Sequence, residues 1–345
     1  MAKAHLVGSM NLENAEEVFR TVVEQVGDSV DRIPDGETGP RAGWILSMIK
    51  RLSATPGLAE CGTLDLGYIE VPEFGLADGA RPEDVRFELG YDEEGIAAWP
   101  TFKQLLDQGV IRTGTKFQIA IPTALAVVGV FIRAEDRSTL VPEYEKRLAV
   151  EIANIAEKLP TDDIALQWDV AVEFGLLEGA FGPMPLPKEV ILDEIVRMSS
   201  YVPESIEMGY HLCYGSAPTG ADGRGRHFVE PGDTSLLVEV ANAISQRAVR
   251  PISWIHLPVP IARDDDAYFQ PLDRLLLRPE TTLYLGLLHE QDGAEGAQRR
   301  IATAARHVSD FGVGTECGML SEPRDRIPYL LRLHRDVSVP EPARP

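Results

Sequence analysis

Long hydrophobic runs, basic residues and cysteines are all scarce in this sequence, and each scarcity argues against a class of protein. No apolar stretch reaches the roughly 18–20 residues that a membrane-spanning helix needs. The 345 residues include 33 Lys and Arg against 54 Asp and Glu, a formal net charge of −21. Nucleic acid and anionic membranes bind basic surfaces, so we expect neither as a partner. Three cysteines, an odd number, do not make a disulfide framework.

The start of the chain also lacks the apolar core and small-residue cleavage pattern of a signal peptide. Together with cysteines that we expect to stay reduced, this predicts a cytoplasmic protein whose acidity serves solubility. The expected partners are small molecules. Whether copies of the chain form a homo-oligomer stays open.

Strand-like and helix-like segments alternate about eight times without a break in composition, which predicts a parallel sheet closed into a (β/α)8 TIM barrel. We expect residues 1–340 to form this single domain and the Pro-rich residues 341–345 to fray. An irregular excursion around residues 56–100, between strands 2 and 3, has short alternating runs at 68–71 and 85–89 that suggest a hairpin. A doubly wound open sheet is the alternative, weakened because the first strand–helix turn lacks the Gly-x-Gly-x-x-Gly phosphate cradle.

Histidine and cysteine stand at the ends of several predicted strands. Side chains alternate along a strand, so His211 and Cys213 should face the same way. Cys317 ends another apolar run, and His256 a third. Because the strands of a barrel present their C-terminal ends at one mouth, these four side chains are candidate ligands of Zn²⁺, with His256 the less secure fourth. Alternatively, a buried Cys or His serves packing alone.

The same mouth would collect further polar groups. Asp169 ends a strand, where a buried carboxylate must be hydrogen-bonded or face a ligand. His289 is a candidate acid/base group or a neighbour of a helix N-cap, and Glu37 lies in a Gly-rich turn where it could be solvated. The Gly-rich tract before His227 carries Arg224 and Arg226, either as a lid for an anion or as a plain loop.

Taken in order, these motifs resemble the catalytic C-terminal half of cobalamin-independent methionine synthase, whose superfamily includes uroporphyrinogen decarboxylase and coenzyme M alkyltransferases. The resemblance spans nearly the whole chain except residues 56–100. It implies a carboxylate site at Gly8 and Ser9, amine binding by Glu37 and Asp169, a catalytic histidine at His289, and zinc ligands at His211, Cys213 and Cys317. The motifs that match are Val7-Gly8-Ser9, Asp35-Gly36-Glu37 with Arg41, Ile121-Pro122-Thr123, Gln167-Trp168-Asp169, His211-Leu212-Cys213-Tyr214 and Cys317-Gly318.

Three positions depart from the family: His256 stands where a glutamate ligand is usual, Val170 replaces an acidic residue, and Asp35 replaces a histidine. The resemblance as a whole implies a zinc-dependent alkyl (methyl) transferase acting on a thiol such as homocysteine, with an alkyl donor as second substrate. In this reading Asp169 and His289 are catalytic, and Gly8, Ser9, Glu37, Thr123 and Asp169 bind substrate. A metal-free decarboxylase or lyase using Asp169 and His289, and a zinc-holding accessory protein without turnover, are the alternatives.

Overall fold

A nearly closed barrel of eight parallel strands, surrounded by helices, forms the centre of the fold. The computed structural model describes residues 4–66, 69–181, 186–216 and 227–337. The barrel order is β1-β10-β9-β8-β7-β6-β5-β2, and a bridge between Ala4 and Val30 brings β1 next to the start of β2. This confirms the predicted TIM barrel. The strands in the described residues are β1 (Ala4–His5), β2 (Arg32–Pro34), β3 (Leu58–Asp65), β4 (Glu70–Leu76), β5 (Lys116–Pro122), β6 (Ile164–Val170), β7 (Glu207–Leu212), β8 (Trp254–Pro258), β9 (Thr282–Leu288) and β10 (Phe311–Thr315).

The helices cover the outside of the barrel with their apolar faces. The first begins where the Asn14 side chain accepts the Glu17 N–H, and it buries Val18, Phe19 and Val22 at helical spacing. None of the helices within the described ranges is long and apolar enough to cross a membrane. The helices are α1 (Ala15–Val26), α2 (Met48–Ser53), α3 (Tyr91–Asp107), α4 (Ala124–Phe131), α5 (Ala134–Lys158), α6 (Val172–Leu177), α7 (Lys188–Arg197), α8 (Ser235–Arg247), α9 (Asp266–Phe269), α10 (Gly293–Ala304) and α11 (Ile327–Asp336).

The excursion between the second and third barrel strands does contain a hairpin, and the predicted run 68–71 overlaps its strand β4 at Glu70 and Val71, but the run 85–89 is not its other strand. β3 and β4 pair antiparallel, whereas residues 85–89 form no strand. Instead the buried Glu151 carboxylate accepts the N–H groups of Leu89, Gly90 and Tyr91 at 2.8–3.1 Å. A side chain on α5 thus accepts the N–H groups at the end of this segment and at the start of α3.

Parts of several predictions lie outside the described residues. These are Tyr68 of the predicted hairpin, Arg224 and Arg226 of the predicted lid, and the tail 341–345. After β8 the chain forms the short α9 followed by a 3₁₀ turn, Gln270–Arg274.

The strand register places three site candidates side by side. Asp169 on β6 pairs with His211 on β7, and His211 pairs with His256 on β8. Paired residues of neighbouring parallel strands lie on the same face of the sheet. The barrel itself therefore sets a carboxyl group and two imidazoles in one row.

Candidate metal centre

His211, Cys213 and Cys317 come together at the mouth of the barrel. One potential ligand atom from each lies within 4.8 Å of the other two, and among the described residues this is the one such cluster of His, Cys, Asp or Glu. The two sulfur atoms are 3.5 Å apart although the residues are 104 positions apart in the chain. The structure thus joins three of the four predicted ligands.

Both cysteines lie just beyond a strand end and are fixed by backbone contacts. The Gly215 N–H donates to Cys213 Sγ at 3.3 Å, and Cys213 N–H donates to the Val170 carbonyl. The hydroxyl of Thr315 donates to the Cys317 carbonyl at 2.8 Å. The hydrogen bond from the Cys213 thiol to the Cys317 sulfur, together with burial, raises the pKa of Cys213, and the same bond lowers the pKa of Cys317.

The donor set suits zinc, and one of its atoms, His211 Nε2, has no hydrogen-bond partner. His211 Nδ1 hydrogen-bonds to His256 Nδ1, whereas the buried His211 Nε2 has no hydrogen-bond partner. An unpaired buried polar atom is costly, and His211 contributes a ring nitrogen to the cluster with the two thiols, so a free Nε2 is consistent with a metal ligand. Two thiols and one imidazole are the protein donors of known catalytic zinc sites.

His256, the fourth predicted ligand, lies next to the cluster but not within it. Its ring is completely buried, and burial lowers the pKa of His256 to about 3. Burial likewise lowers the pKa of His211, so both rings are neutral near pH 7. His256 Nδ1 hydrogen-bonds to His211 Nδ1, and the His256 ring packs against that of His5.

Two buried carboxyl groups, Glu37 and Asp169, are close enough to interact electrostatically with Cys317. Burial, aided by the charge of Asp35, raises the pKa of Glu37 to about 7. Burial and the Glu37 carboxyl group raise the pKa of Asp169 well above its usual value. The hydrogen bond from Gln167 Nε2 at 2.8 Å acts in the opposite direction and lowers this pKa. The charges of Cys317 and Asp169 interact. A cation that entered this pocket would stabilise the ionised form of both carboxyl groups.

Gly8 lies against Glu37, and Ser9 lies against Gly318. A Cβ on Gly8 would come within 2.9 Å of Glu37 Oε1, so a larger residue there would displace this carboxyl group. A Cβ on Gly318 would come 2.1 Å from Ser9 Oγ, and the Ser9 carbonyl accepts the Met319 N–H at 2.7 Å. The segment that carries Cys317 is therefore tied to the predicted carboxylate site.

The turn that presents Glu37 is strained. Glu37 has φ of 48°, a left-handed conformation that non-glycine residues rarely adopt. Asp35 holds the turn, because its carboxylate accepts the Glu37 N–H at 2.9 Å and an Arg41 N–H at 2.7 Å. Asp35 thus has a structural role in this turn.

Thr123 is buried and already engaged. Its hydroxyl caps α4 by accepting the Ala126 N–H, and it also hydrogen-bonds to the carboxyl group of Glu173. Burial raises the pKa of Glu173 to about 7. The sequence did not single out Glu173, because four residues beyond Asp169 it looks like an ordinary helical glutamate.

Substitution of Glu173 by glutamine is expected to stabilise the protein at pH 8 but not near pH 4.5. Because the folded-state pKa is raised, wild-type stability falls as the pH rises from about 4.5 to about 7, by up to about 3 kcal/mol. Glutamine does not titrate in this range, so it does not cause this loss of stability in the variant. Urea unfolding at several pH values, with the exposed Glu189→Gln as control, measures the difference in the free energy of unfolding between the Glu173→Gln variant and the wild type. A difference that does not change with pH would contradict this prediction.

His289, the candidate acid/base group, is buried beside Glu316. Its Nε2 hydrogen-bonds to the Val259 carbonyl at 2.9 Å, and its Nδ1 lies 3.9 Å from Glu316 Oε2. Burial lowers the pKa of His289, and the Glu316 carboxylate opposes this. Burial also acts to lower the pKa of His227, but Glu316 at 2.8 Å and Glu230 at 3.0 Å raise it to about 9. The sequence had no signal for Glu316 beyond its place before Cys317.

The fold and the cluster define a TIM barrel with a His/Cys/Cys donor set at its C-terminal mouth. No protein-family model matches the chain, and no curated protein matches it either. Solved structures do. A protein of Listeria monocytogenes provisionally assigned as a vitamin B12-independent methionine synthase is 14% identical with a TM-score of 0.55, over 98% of this chain and 99% of its own. A B12-independent methionine synthase from a Shewanella species, solved with selenomethionine, is 13% identical with a TM-score of 0.62, over 97% and 95%. At these identities the likeness establishes the fold.

Proposed function

We propose that this protein is a zinc-dependent alkyl transferase that acts on a small thiol with an amino-acid head group, such as homocysteine. One observation carries the proposal: the His211, Cys213 and Cys317 donors come together at the mouth of the barrel, and two buried carboxyl groups, Glu37 and Asp169, are close enough to interact electrostatically with Cys317. A sulfur-binding centre next to a cation-binding pocket matches the two ends of a thiol amino acid. The selenomethionine complex of the Shewanella structure is consistent with such a ligand.

His211, Cys213 and Cys317 would hold the zinc. When bound, zinc would supply a Lewis acid that lowers the pKa of a coordinated thiol, about 8.5 when free, so that it is a thiolate near neutral pH.

Glu37 and Asp169 would bind the ammonium group of the substrate, and Gly8 and Ser9 its carboxylate. Fixing the head group at both charged ends orients the sulfur and lowers the entropic barrier to transfer. Asp35 and Arg41 hold the strained turn at Glu37, so this part of the site is organised before substrate binds.

His289 is proposed to give a proton to the group that leaves the alkyl carbon. With Nε2 held by the Val259 carbonyl, Nδ1 is the nitrogen available for proton exchange, and the Glu316 carboxylate beside it would stabilise the charged ring. A cavity of about 410 Å³ opens beside Glu37, with Trp44, Met48 and Tyr91 in its wall, and would admit the alkyl donor.

Binding of L-homocysteine to the zinc-loaded protein at pH 7 is expected to release about one proton more than binding of L-methionine, because coordination deprotonates the sulfur. Protons that leave Glu37 and Asp169 when the ammonium group binds are common to both ligands, whereas L-methionine has no thiol proton. Calorimetric titration in buffers of different ionisation enthalpy measures this difference. Equal proton release by both ligands would contradict the proposal, and carbon dioxide release from an acid substrate by metal-free protein would favour a decarboxylase instead.

A further inference from the structure

The two histidines on β7 and β8 form a directly bonded pair inside the barrel. Their Nδ1 atoms are 2.8 Å apart, and neither Nε2 atom has a hydrogen-bond partner. Both side chains are buried, His256 completely. The contact follows from the strand register, which pairs His211 with His256 and turns both rings inward.

A hydrogen bond between two Nδ1 atoms of neutral rings contains one proton, and its position decides what each ring can do. If His256 donates, His211 must carry its proton on Nε2 and cannot bind a metal through that atom. If His211 donates, its Nε2 has a free lone pair, and His256 accepts through Nδ1. Only the second arrangement makes His211 a ligand through Nε2.

We propose, on the basis of the proposed zinc chemistry, that His256 is a positioning residue and not the fourth ligand. As the acceptor of the His211 Nδ1–H, it fixes the tautomer that leaves the lone pair of the unpartnered Nε2 free for a metal. Ligating histidines in proteins commonly donate their second N–H to such an outer partner. The histidine therefore differs from the family's glutamate in role as well as in charge.

One consequence concerns the metal itself. The donor atoms that converge within 4.8 Å come from His211, Cys213 and Cys317, without His256. Two thiolates and one neutral imidazole would balance the charge of a divalent cation and would provide three protein ligands. A substrate thiol could then bind without displacing a protein ligand.

Cobalt(II) titration of the full-length metal-free protein tests this inference through a readout other than activity. The variants are His256→Asn, whose Oδ1 can accept in place of Nδ1, and His256→Ala, which has no acceptor. We expect His256→Ala to lower cobalt affinity by about 10- to 100-fold, and His256→Asn to stay close to the wild type. Both should keep the wild-type cobalt d–d and thiolate-to-cobalt absorption bands. Cys213→Ser provides the spectrum of a lost ligand, and thermal unfolding of each metal-free variant controls for folding.

The possible outcomes separate the claims. If both His256 variants bind weakly and their d–d bands change as in a lost ligand, His256 is a ligand and the inference is wrong. If neither variant changes affinity, His256 has no part in metal binding and the inference is again wrong. If the wild type binds no cobalt, the inference and the proposed zinc chemistry are both overturned.

Discussion

Replacement of Cys317 by serine is expected to strip the protein of its zinc, lowering affinity by more than about 100-fold, beyond the usual cost of losing an outer partner. The thiolate supplies one of three protein donors and half of the negative charge that balances the cation. Its sulfur lies 3.5 Å from that of Cys213, so neither cysteine can be replaced without breaking the cluster. Alkyl transfer should disappear together with the metal.

The matched control is Cys61→Ser. Cys61 is exposed on β3 of the hairpin, so its loss should leave zinc content and activity unchanged. Zinc analysis of the purified variants by mass spectrometry, with circular dichroism to confirm folding, measures the difference. If Cys317→Ser retained zinc and the wild-type rate of transfer, the assignment of the metal centre would be wrong.

Substitution of Asp169 by asparagine is expected to weaken homocysteine binding by about 30-fold or more without removing zinc. Loss of one partner of a buried, hydrogen-bonded charge pair costs about 2 kcal/mol or more. In the proposed complex Asp169 shares the substrate ammonium group with Glu37. Asparagine keeps an oxygen to accept from Gln167 Nε2, so the local fold should survive.

A ligand without the amino group separates this effect from damage to the site. 4-Mercaptobutanoate has the thiol and carboxylate of homocysteine but no ammonium group, so its affinity should not fall in Asp169→Asn. Calorimetric titration of both ligands against wild type and variant gives the comparison. Equal losses for both ligands would show that Asp169 does not act through the amine.

The architecture of the site was predictable because a barrel with parallel strands brings all strand C-termini to one mouth. Given the strand ends, the sequence alone indicated that His211, Cys213 and Cys317 would converge, and the structure brings them together. The alternation of side chains along β7 was sufficient to place the first two on one face.

The role of His256 was not predictable in the same way. Its position at a strand end suggested a ligand, but ring orientation depends on side-chain torsions and hydrogen bonds that strand spacing does not determine. Glu173 and Glu316 carried no sequence signal, since their importance depends on burial beside Thr123 and on contacts with two histidines.

The excursion shows a further limit. Residues 85–89 alternate like a strand, yet the N–H of Leu89 is bonded by the carboxylate of Glu151, which lies 62 residues later in the chain. Local alternation indicates an extended backbone but does not identify its hydrogen-bonding partner.

X-ray absorption at the zinc K-edge of the purified, zinc-loaded protein tests the central claim most directly. We predict a first shell with two sulfur atoms at about 2.3 Å and at least one imidazole nitrogen at about 2.0 Å. A shell made only of nitrogen and oxygen, or failure of the protein to retain any zinc, would contradict the proposed metal centre.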